Sequence, residues 1–335
     1  MTVKVAINGF GRIGRLVARA LFESGRKDIQ IVAINDLGSV KDNAHLLRYD
    51  SVHGRFPFDV KTTDTSMEIQ GQKIAVVAQP DPSKLPWKDM GVDIAFECSG
   101  RFTKREEAAH HLTAGAKRVI VSAPADGVDA TIVYGVNHQS LTKDHIVISN
   151  GSCTTNCLAP VADVIMQEIG IERGFMTTVH SYTGDQKLVD SIHKDPRRAR
   201  AAALSMIPSS TGAAKALGLV IPALKGKLDG TAIRVPTPNV SMIDFKFVAP
   251  RDITIDEINA AMKKAAEGRL KGILGYVTEE LVSSDFNGDP HSSNFDATQT
   301  QVVDKRLGRV LSWYDNEVGF SNRMLDVAAV MGKMI

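Results

Sequence analysis

Cys153 lies in the run SNGSCTTNCLAP (149–160), among serine, threonine and asparagine side chains. A structural cysteine normally packs among aliphatic residues, where its thiol behaves as a small hydrophobe. Hydrogen-bonding neighbours suit a thiolate or a bound anion instead. Cys157, Val161, Val164, Ile165 and Ile169 follow a helical period, so Cys153 is expected in the first turn of a helix. The partial positive charge at that end favours an anion and is expected to lower the thiol pKa. A thiolate nucleophile needs a base or a cation beside it. The apolar run FMTTVH (175–180) reads as a strand that delivers His180 at its end, before a polar loop. Cys157, one turn further on, reads as a buried hydrophobe. Zinc needs four ligands and there is no second cysteine pair, so no metal is expected.

A second constellation opens the chain. The apolar run VKVAI (3–7) precedes Gly9-Phe10-Gly11-Arg12-Ile13-Gly14, a helical pattern RLVARALFES, and a second strand IQIVAIND ending at Asp36. Gly-x-Gly-x-x-Gly between strand and helix is a dinucleotide site. Gly9 permits the tight turn, Gly11 lets backbone approach a pyrophosphate, and Gly14 lets helix and strand pack closely. The helix N-terminus supplies free N–H groups to the phosphates. Asp36, 22 residues after Gly14, is placed for the ribose hydroxyls and would repel a 2′-phosphate, which favours NAD over NADP.

The elements that must carry these residues alternate. VDIAFECSG (92–100) reads as strand and turn, REEAAHHLTAG (105–115) as helix, and AKRVIVSAP (116–124) as strand and turn. DATIVYGVN (129–137) and HIVISN (145–150) are further strands. The fold class is α/β, with a Rossmann-type doubly wound parallel sheet over 1–152. Ligands bind at strand C-terminal ends in such sheets, which makes Ser122 a candidate contact on the nicotinamide side. From Cys153 onward, FMTTVH, TAIRVPT, SMIDFKFVA and RVLSWYD point to an α+β domain with a mixed or antiparallel sheet over 153–316. An amphipathic C-terminal helix within 317–335 follows.

Composition narrows the classes. Forty basic against 38 acidic residues give a formal charge of +2, which argues against a dedicated nucleic-acid partner. No window approaches the roughly 20 apolar residues of a membrane span, and no membrane association is expected. The three cysteines fit a reducing compartment, and no charged leader with an apolar core precedes the first strand, so a cytoplasmic location is expected.

Together NGFGRIGR, SCTTNCLAP, TTVHSYTGDQ, HKDPRRARAAALSMIPSSTGAAKA, IRVPTPNVS and WYDNE resemble phosphorylating glyceraldehyde-3-phosphate dehydrogenase of the bacterial, glycolytic type, in order and over the whole chain. The resemblance implies NAD-dependent oxidation of glyceraldehyde 3-phosphate to 1,3-bisphosphoglycerate, in glycolysis and gluconeogenesis. It passes through a thiohemiacetal and a thioester on Cys153, with His180 as base. It implies that Thr183 and Arg234 hold the substrate's phosphate, that Ser152, Thr154, Thr211 and Gly212 hold inorganic phosphate, and that Arg198 lies between the two anion sites. Arg12, Ile13, Asp36, Ser122 and Asn316 are implied as cofactor contacts. It further implies a homotetramer with the long loop 181–207 between subunits. Two departures stand out: Gly151 replaces the family's usual alanine, and Val189–Ile192 differs from the pattern of strict NAD selectivity, leaving NADP use open. The alternatives are an erythrose-4-phosphate dehydrogenase, or an additional role as a thiol redox sensor or nucleic-acid binder.

Overall fold

The computed structural model describes residues 2–335. They form two compact units, one from the chain up to Ser152 with Ser321–Ile335, the other Cys153–Phe320.

The first unit is built on a nine-stranded sheet. Seven strands are parallel, in the order Ala130–Thr131, Val147–Ser149, Arg118–Val121, Ile94–Glu97, Val3–Asn8, Ile29–Asn35 and Gln72–Val77. Ser66–Ile69 and Val60–Thr62 extend it antiparallel. Ile94–Glu97 and Arg118–Val121 are buried at every position, as strands covered on both faces must be. Chain order reverses between Val3–Asn8 and Ile94–Glu97, which opens a crevice at their C-terminal ends.

Three stretches differ from the reading of the sequence. The helix expected over 105–115 is two short ones, Arg105–Ala108 and His110–Thr113, joined at Ala109 with its backbone still helical. Tight i to i−3 bonds, Glu107 N–H to Lys104 O and Leu112 N–H to Ala109 O, interrupt the regular ladder. The strand expected over 129–137 shrinks to Ala130–Thr131, because Val133 N–H turns to Asn137 Oδ1 and closes a local turn. The helix Val40–Arg48, the parallel strand Gln72–Val77 and the antiparallel strands Val60–Thr62 and Ser66–Ile69 were not read from the sequence.

The second unit holds an eight-stranded mixed sheet. Its main order is Ile207–Ser210, Leu228–Val235, Arg173–Ser181, Ser241–Val248, Leu307–Tyr314, Ser293–Asp296 and Leu274–Val277, with Gln301–Val303 paired to Leu307–Tyr314. Arg173–Ser181 runs parallel to Leu228–Val235 and antiparallel to Ser241–Val248. Strand Ser241–Val248 buries alternate residues, among them Ile243, Phe245 and Phe247, the period-2 signature of a half-covered sheet. Helix Cys153–Glu168 is buried from Thr154 through Ile165. The last helix, Val318–Gly332, starts inside this unit, which runs to Phe320 and not to 316 as expected. The cause is local: Asp315 Oδ1 accepts from Glu317 and Val318 N–H, and Gly319 lies so close to His291 that a Cβ there would stand 2.4 Å from its carbonyl oxygen.

Candidate active site and dinucleotide crevice

Cys153 opens the helix Cys153–Glu168, and its Sγ lies 3.5 Å from His180 Nε2. The preceding Gly151 has φ +68°, the left-handed region that glycine enters without strain. His180 is fixed by the sheet, one residue from the end of a strand paired on both sides. It is almost fully buried, and Nδ1 is 2.7 Å from Ser181 O. A carbonyl only accepts, so the ring proton sits on Nδ1 and the Nε2 lone pair faces the thiol. The parallel register sets Arg234 directly opposite His180. Arg234 Nη1 donates to Ser181 O and Thr183 Oγ1, each at 3.1 Å, and lies 3.1 Å from His180 Nδ1, whose proton points to the nearer Ser181 O, so the two donors face each other without a bond. Its buried Nε has no hydrogen-bond partner, leaving donor capacity for an anion.

The electrostatics correct one expectation. Burial pushes the Cys153 thiol above its ordinary pKa and outweighs Arg234 and Thr154, which pull it down. Burial, and then the Arg234 charge, push His180 down to about 3 against the pull of the Ser181 carbonyl. The resting pair is therefore thiol and neutral imidazole. Cys153 is half-buried at the start of its helix, where the N-terminus favours the anion once the proton has left.

Arg198, Thr183 and Arg234 belong to one cluster. Arg198 Nη1 donates to Asp185 Oδ2 at 2.7 Å and its Nε to Ser209 Oγ at 2.8 Å, while Thr183 Oγ1 donates to Asp185 Oδ1. Arg197, next to it in the chain, is exposed. Asp185 is a site residue that the sequence reading missed, although its place in TGDQ, two residues after Thr183, was a signal. Thr211 and Gly212 precede helix Ala213–Val220: Thr211 Oγ1 accepts from Ala213 N–H at 3.2 Å, and Gly212 is the exposed N-cap. Ser152 directly precedes Cys153. Thr154 is buried, with its hydroxyl 2.8 Å from Tyr314 Oη and bonded to the Cys153 thiol. Tyr314, also missed, bonds Thr178 Oγ1 at 2.9 Å and sets its ring edge-on to His180. Asn316 is buried in the same unit, accepting from Ser181 Oγ at 2.8 Å and Ser241 Oγ at 3.0 Å.

In the first unit, a crevice of about 280 Å³ is lined by Asn8, Gly9, Gly11, Asp36, Gln79 and Ser99, among others. Gly9 has φ +92°, and a Cβ there would stand 2.6 Å from Ser99 backbone. At Gly14 a Cβ would meet Gly9 O at 2.2 Å, while at Gly11 it would meet no atom within 4 Å. So Gly9 and Gly14 are demanded by packing, and Gly11 leaves open approach to the first turn of helix Arg12–Glu23. Asp36 accepts from Phe10 and Gly38 N–H, each at 2.8 Å, tying the second strand to the glycine turn. Arg12 pairs with Asp50; although burial opposes it, that bond and two backbone N–H groups hold the Asp50 carboxyl down at about 2. Ile13 is half-buried beside Arg12. Ser122 bonds its hydroxyl to the Cys98 thiol, which burial pushes up to about 12. A turn without side chains, a helix N-terminus and an acidic residue beyond the second strand are the donor set that a dinucleotide needs, and the crevice fits it.

Among the described residues no cluster of histidine, cysteine and carboxylate side chains could hold a metal, and no helix is long and apolar enough to cross a membrane.

Residues 3–105 match the glyceraldehyde 3-phosphate dehydrogenase NAD binding domain, and residues 152–316 match the C-terminal domain of that family. The chain is 64% identical over its full length, and the full length of the relative, to a glyceraldehyde-3-phosphate dehydrogenase of Xanthobacter flavus. The same figures hold for one from Cereibacter sphaeroides. It is 57% identical to one from Geobacillus stearothermophilus over 98% of each chain.

Proposed function

Because the chain belongs to the glyceraldehyde-3-phosphate dehydrogenase family, we infer that it oxidises glyceraldehyde 3-phosphate with NAD and inorganic phosphate to 1,3-bisphosphoglycerate, as a step of glycolysis. The observation that carries the mechanism is the 3.5 Å contact between Cys153 Sγ and the proton-free Nε2 of His180.

His180 takes the thiol proton as Sγ attacks the aldehyde carbon, so the two neutral groups become thiolate and imidazolium only as the bond forms. The imidazolium Nε2–H and the Cys153 backbone N–H then donate to the alkoxide of the thiohemiacetal. NAD held at the glycine turn and Asp36 would supply the hydride acceptor, and loss of hydride from that carbon leaves a thioester on Cys153. Inorganic phosphate attacks the thioester carbonyl, the C–S bond breaks to release the acyl phosphate, and the departing thiolate takes back its proton from the His180 imidazolium, which restores the resting thiol and neutral imidazole. Arg234, with its unpartnered Nε, and Thr183 hold the substrate's own phosphate, and Arg198 stands beside them across Asp185. A guanidinium stays charged at every working pH, as recognition of a phosphate requires. Ser152, Thr154, Thr211 and Gly212 serve inorganic phosphate, with the Thr154 hydroxyl acting through its bond to Cys153. Asn316 and Ser122 serve the nicotinamide end, Asp36 the adenosine ribose, and Arg12 and Ile13 the pyrophosphate.

The segment between Ser181 and Ile207 supports a homotetramer. Leu188, Ile192, Leu204 and Met206 are each at least three-quarters exposed there, more apolar surface than an isolated subunit keeps in water. The enzyme acts in the cytoplasm as that assembly, and light scattering on purified protein gives its mass directly.

The defining assay is NADH formation from glyceraldehyde 3-phosphate and NAD, with and without inorganic phosphate, beside Cys153→Ser. Turnover that needs phosphate and disappears in the variant is the expected result. Brisk turnover without phosphate would show water deacylating the enzyme and refute the second anion site. Faster turnover of erythrose 4-phosphate would reassign the substrate.

A further inference from the structure

Beneath the dinucleotide crevice runs a buried hydrogen-bond relay that neither the mechanism nor the glycine motif requires. Trp87 Nε1–H donates to His111 Nδ1 at 3.0 Å, and His111 Nε2 meets Glu97 Oε2 at 2.9 Å. Trp87 and His111 are wholly buried and Glu97 is 1% exposed. An indole N–H can only donate, so His111 Nδ1 accepts and the ring proton sits on Nε2, aimed at Glu97. From the other side, Gln79 N–H donates to Asn35 Oδ1 at 2.8 Å and Asn35 Nδ2 to Asn8 Oδ1 at 2.7 Å. Asn8 Nδ2 then donates to Glu97 Oε2 at 2.6 Å. The backbone N–H at Gln79 fixes the direction of both amides. The remaining Glu97 oxygen accepts from Ser99 N–H at 2.8 Å and from the Ser99 hydroxyl. Four donor groups from three directions converge on one buried carboxylate, which only accepts.

The members sit at the C-terminal ends of adjacent strands. Asn8 ends Val3–Asn8, Asn35 ends Ile29–Asn35, Glu97 ends Ile94–Glu97, and Gln79 follows Gln72–Val77 by two residues. Asn8, Asn35, Gln79 and Ser99 line the crevice. Ser99 is also the backbone against which Gly9 packs with no room for a Cβ.

We propose that Glu97 is the positioning residue of the dinucleotide site: by gathering Asn8, Ser99 and His111 it holds four strand ends at the spacing the cofactor requires and couples the crevice to Trp87. The proposal rests on the reading of this crevice as the NAD site. Glu97→Gln sets an amide N–H against one of these donors, so some donor loses its acceptor and the Ser99 wall loosens.

The test uses the full-length assembled enzyme. NAD affinity is measured by calorimetry, steady-state kinetics are run with NAD varied, and Trp87 emission is followed in a Trp313→Phe background, since the chain has two tryptophans. Wild type is measured first; if it does not bind NAD, the crevice reading itself fails. Glu97→Gln is expected to weaken NAD binding about tenfold and raise its KM in step. Its kcat at saturating NAD should stay within about twofold, and the emission change on NAD addition should be lost. Equal NAD affinity in Glu97→Gln and wild type, or a fall in kcat with KM unchanged, overturns the proposal. If Glu97→Gln does not fold, Ser99→Ala removes a single donor. A rise of a few-fold in Kd then supports the relay, and an unchanged Kd overturns it.

Discussion

Neutral, buried His180 makes a specific demand on stability. Its imidazole pKa is held at about 3 in the folded protein, against about 6.5 in an unfolded chain. Between those values the unfolded state binds a proton that the folded state refuses, so acid draws the protein toward unfolding. The penalty is absent well above the unfolded value, sets in as pH falls through 6.5 and grows until the folded ring itself takes up a proton near pH 3. Between pH 7 and pH 5 the unfolded ring goes from about one-quarter to almost fully protonated while the folded ring stays neutral, which costs about 2 kcal/mol. The figure barely depends on the folded value, because any pKa under about 4 leaves the native ring neutral at pH 5. The assay is urea unfolding of wild type and His180→Gln at both pH values and one protein concentration, since assembly contributes to apparent stability. His180→Gln lowers stability at both pH values through lost packing, but the double difference removes that term. Wild type should lose about 2 kcal/mol more than the variant on going to pH 5. Equal losses would refute the reasoning, and would mean that His180 carries a proton in the native resting enzyme.

Two further outcomes follow from the same geometry. Arg234→Leu removes the guanidinium beside His180 and Thr183, and should raise KM for glyceraldehyde 3-phosphate by two orders of magnitude or more, about 3 kcal/mol for a charge-assisted phosphate contact, in steady-state assays. Gly9→Ala forces a Cβ into Ser99 backbone at 2.6 Å and a side chain into φ +92°, and should lower stability by more than about 2 kcal/mol in thermal unfolding while weakening NAD binding.

Much of this was legible in the residues, for reasons that differ along the chain. Gly9, Gly14 and Asp36 were readable because a tight turn and a close helix–strand contact leave no choice of side chain. The helix beginning at Cys153 was readable from the spacing of Val161, Val164 and Ile165. What escaped was set by tertiary pairing. Val60–Thr62 and Ser66–Ile69 are short antiparallel strands with mixed burial, and neither carries a strong period. Asp185 and Tyr314 join the site only because sheet register and the fold of the 182–206 segment bring distant positions together. The raised thiol pKa was also hidden: the sequence announces a helix N-terminus, and burial, which overrides it, is a property of the packed fold.

His180 owes its ring orientation to Ser181 O, the carbonyl of the very next residue. Many histidine bases are oriented by a carboxylate elsewhere in the chain, and replacing that carboxylate disarms them. Here the orienting group is main chain, present whatever residue stands at position 181, and no point substitution can delete it. The tautomer is inherited from the strand itself. Random mutagenesis should therefore yield lesions at His180, and at positions that bend its strand, but no separate orienting side chain whose loss leaves the base in place and idle.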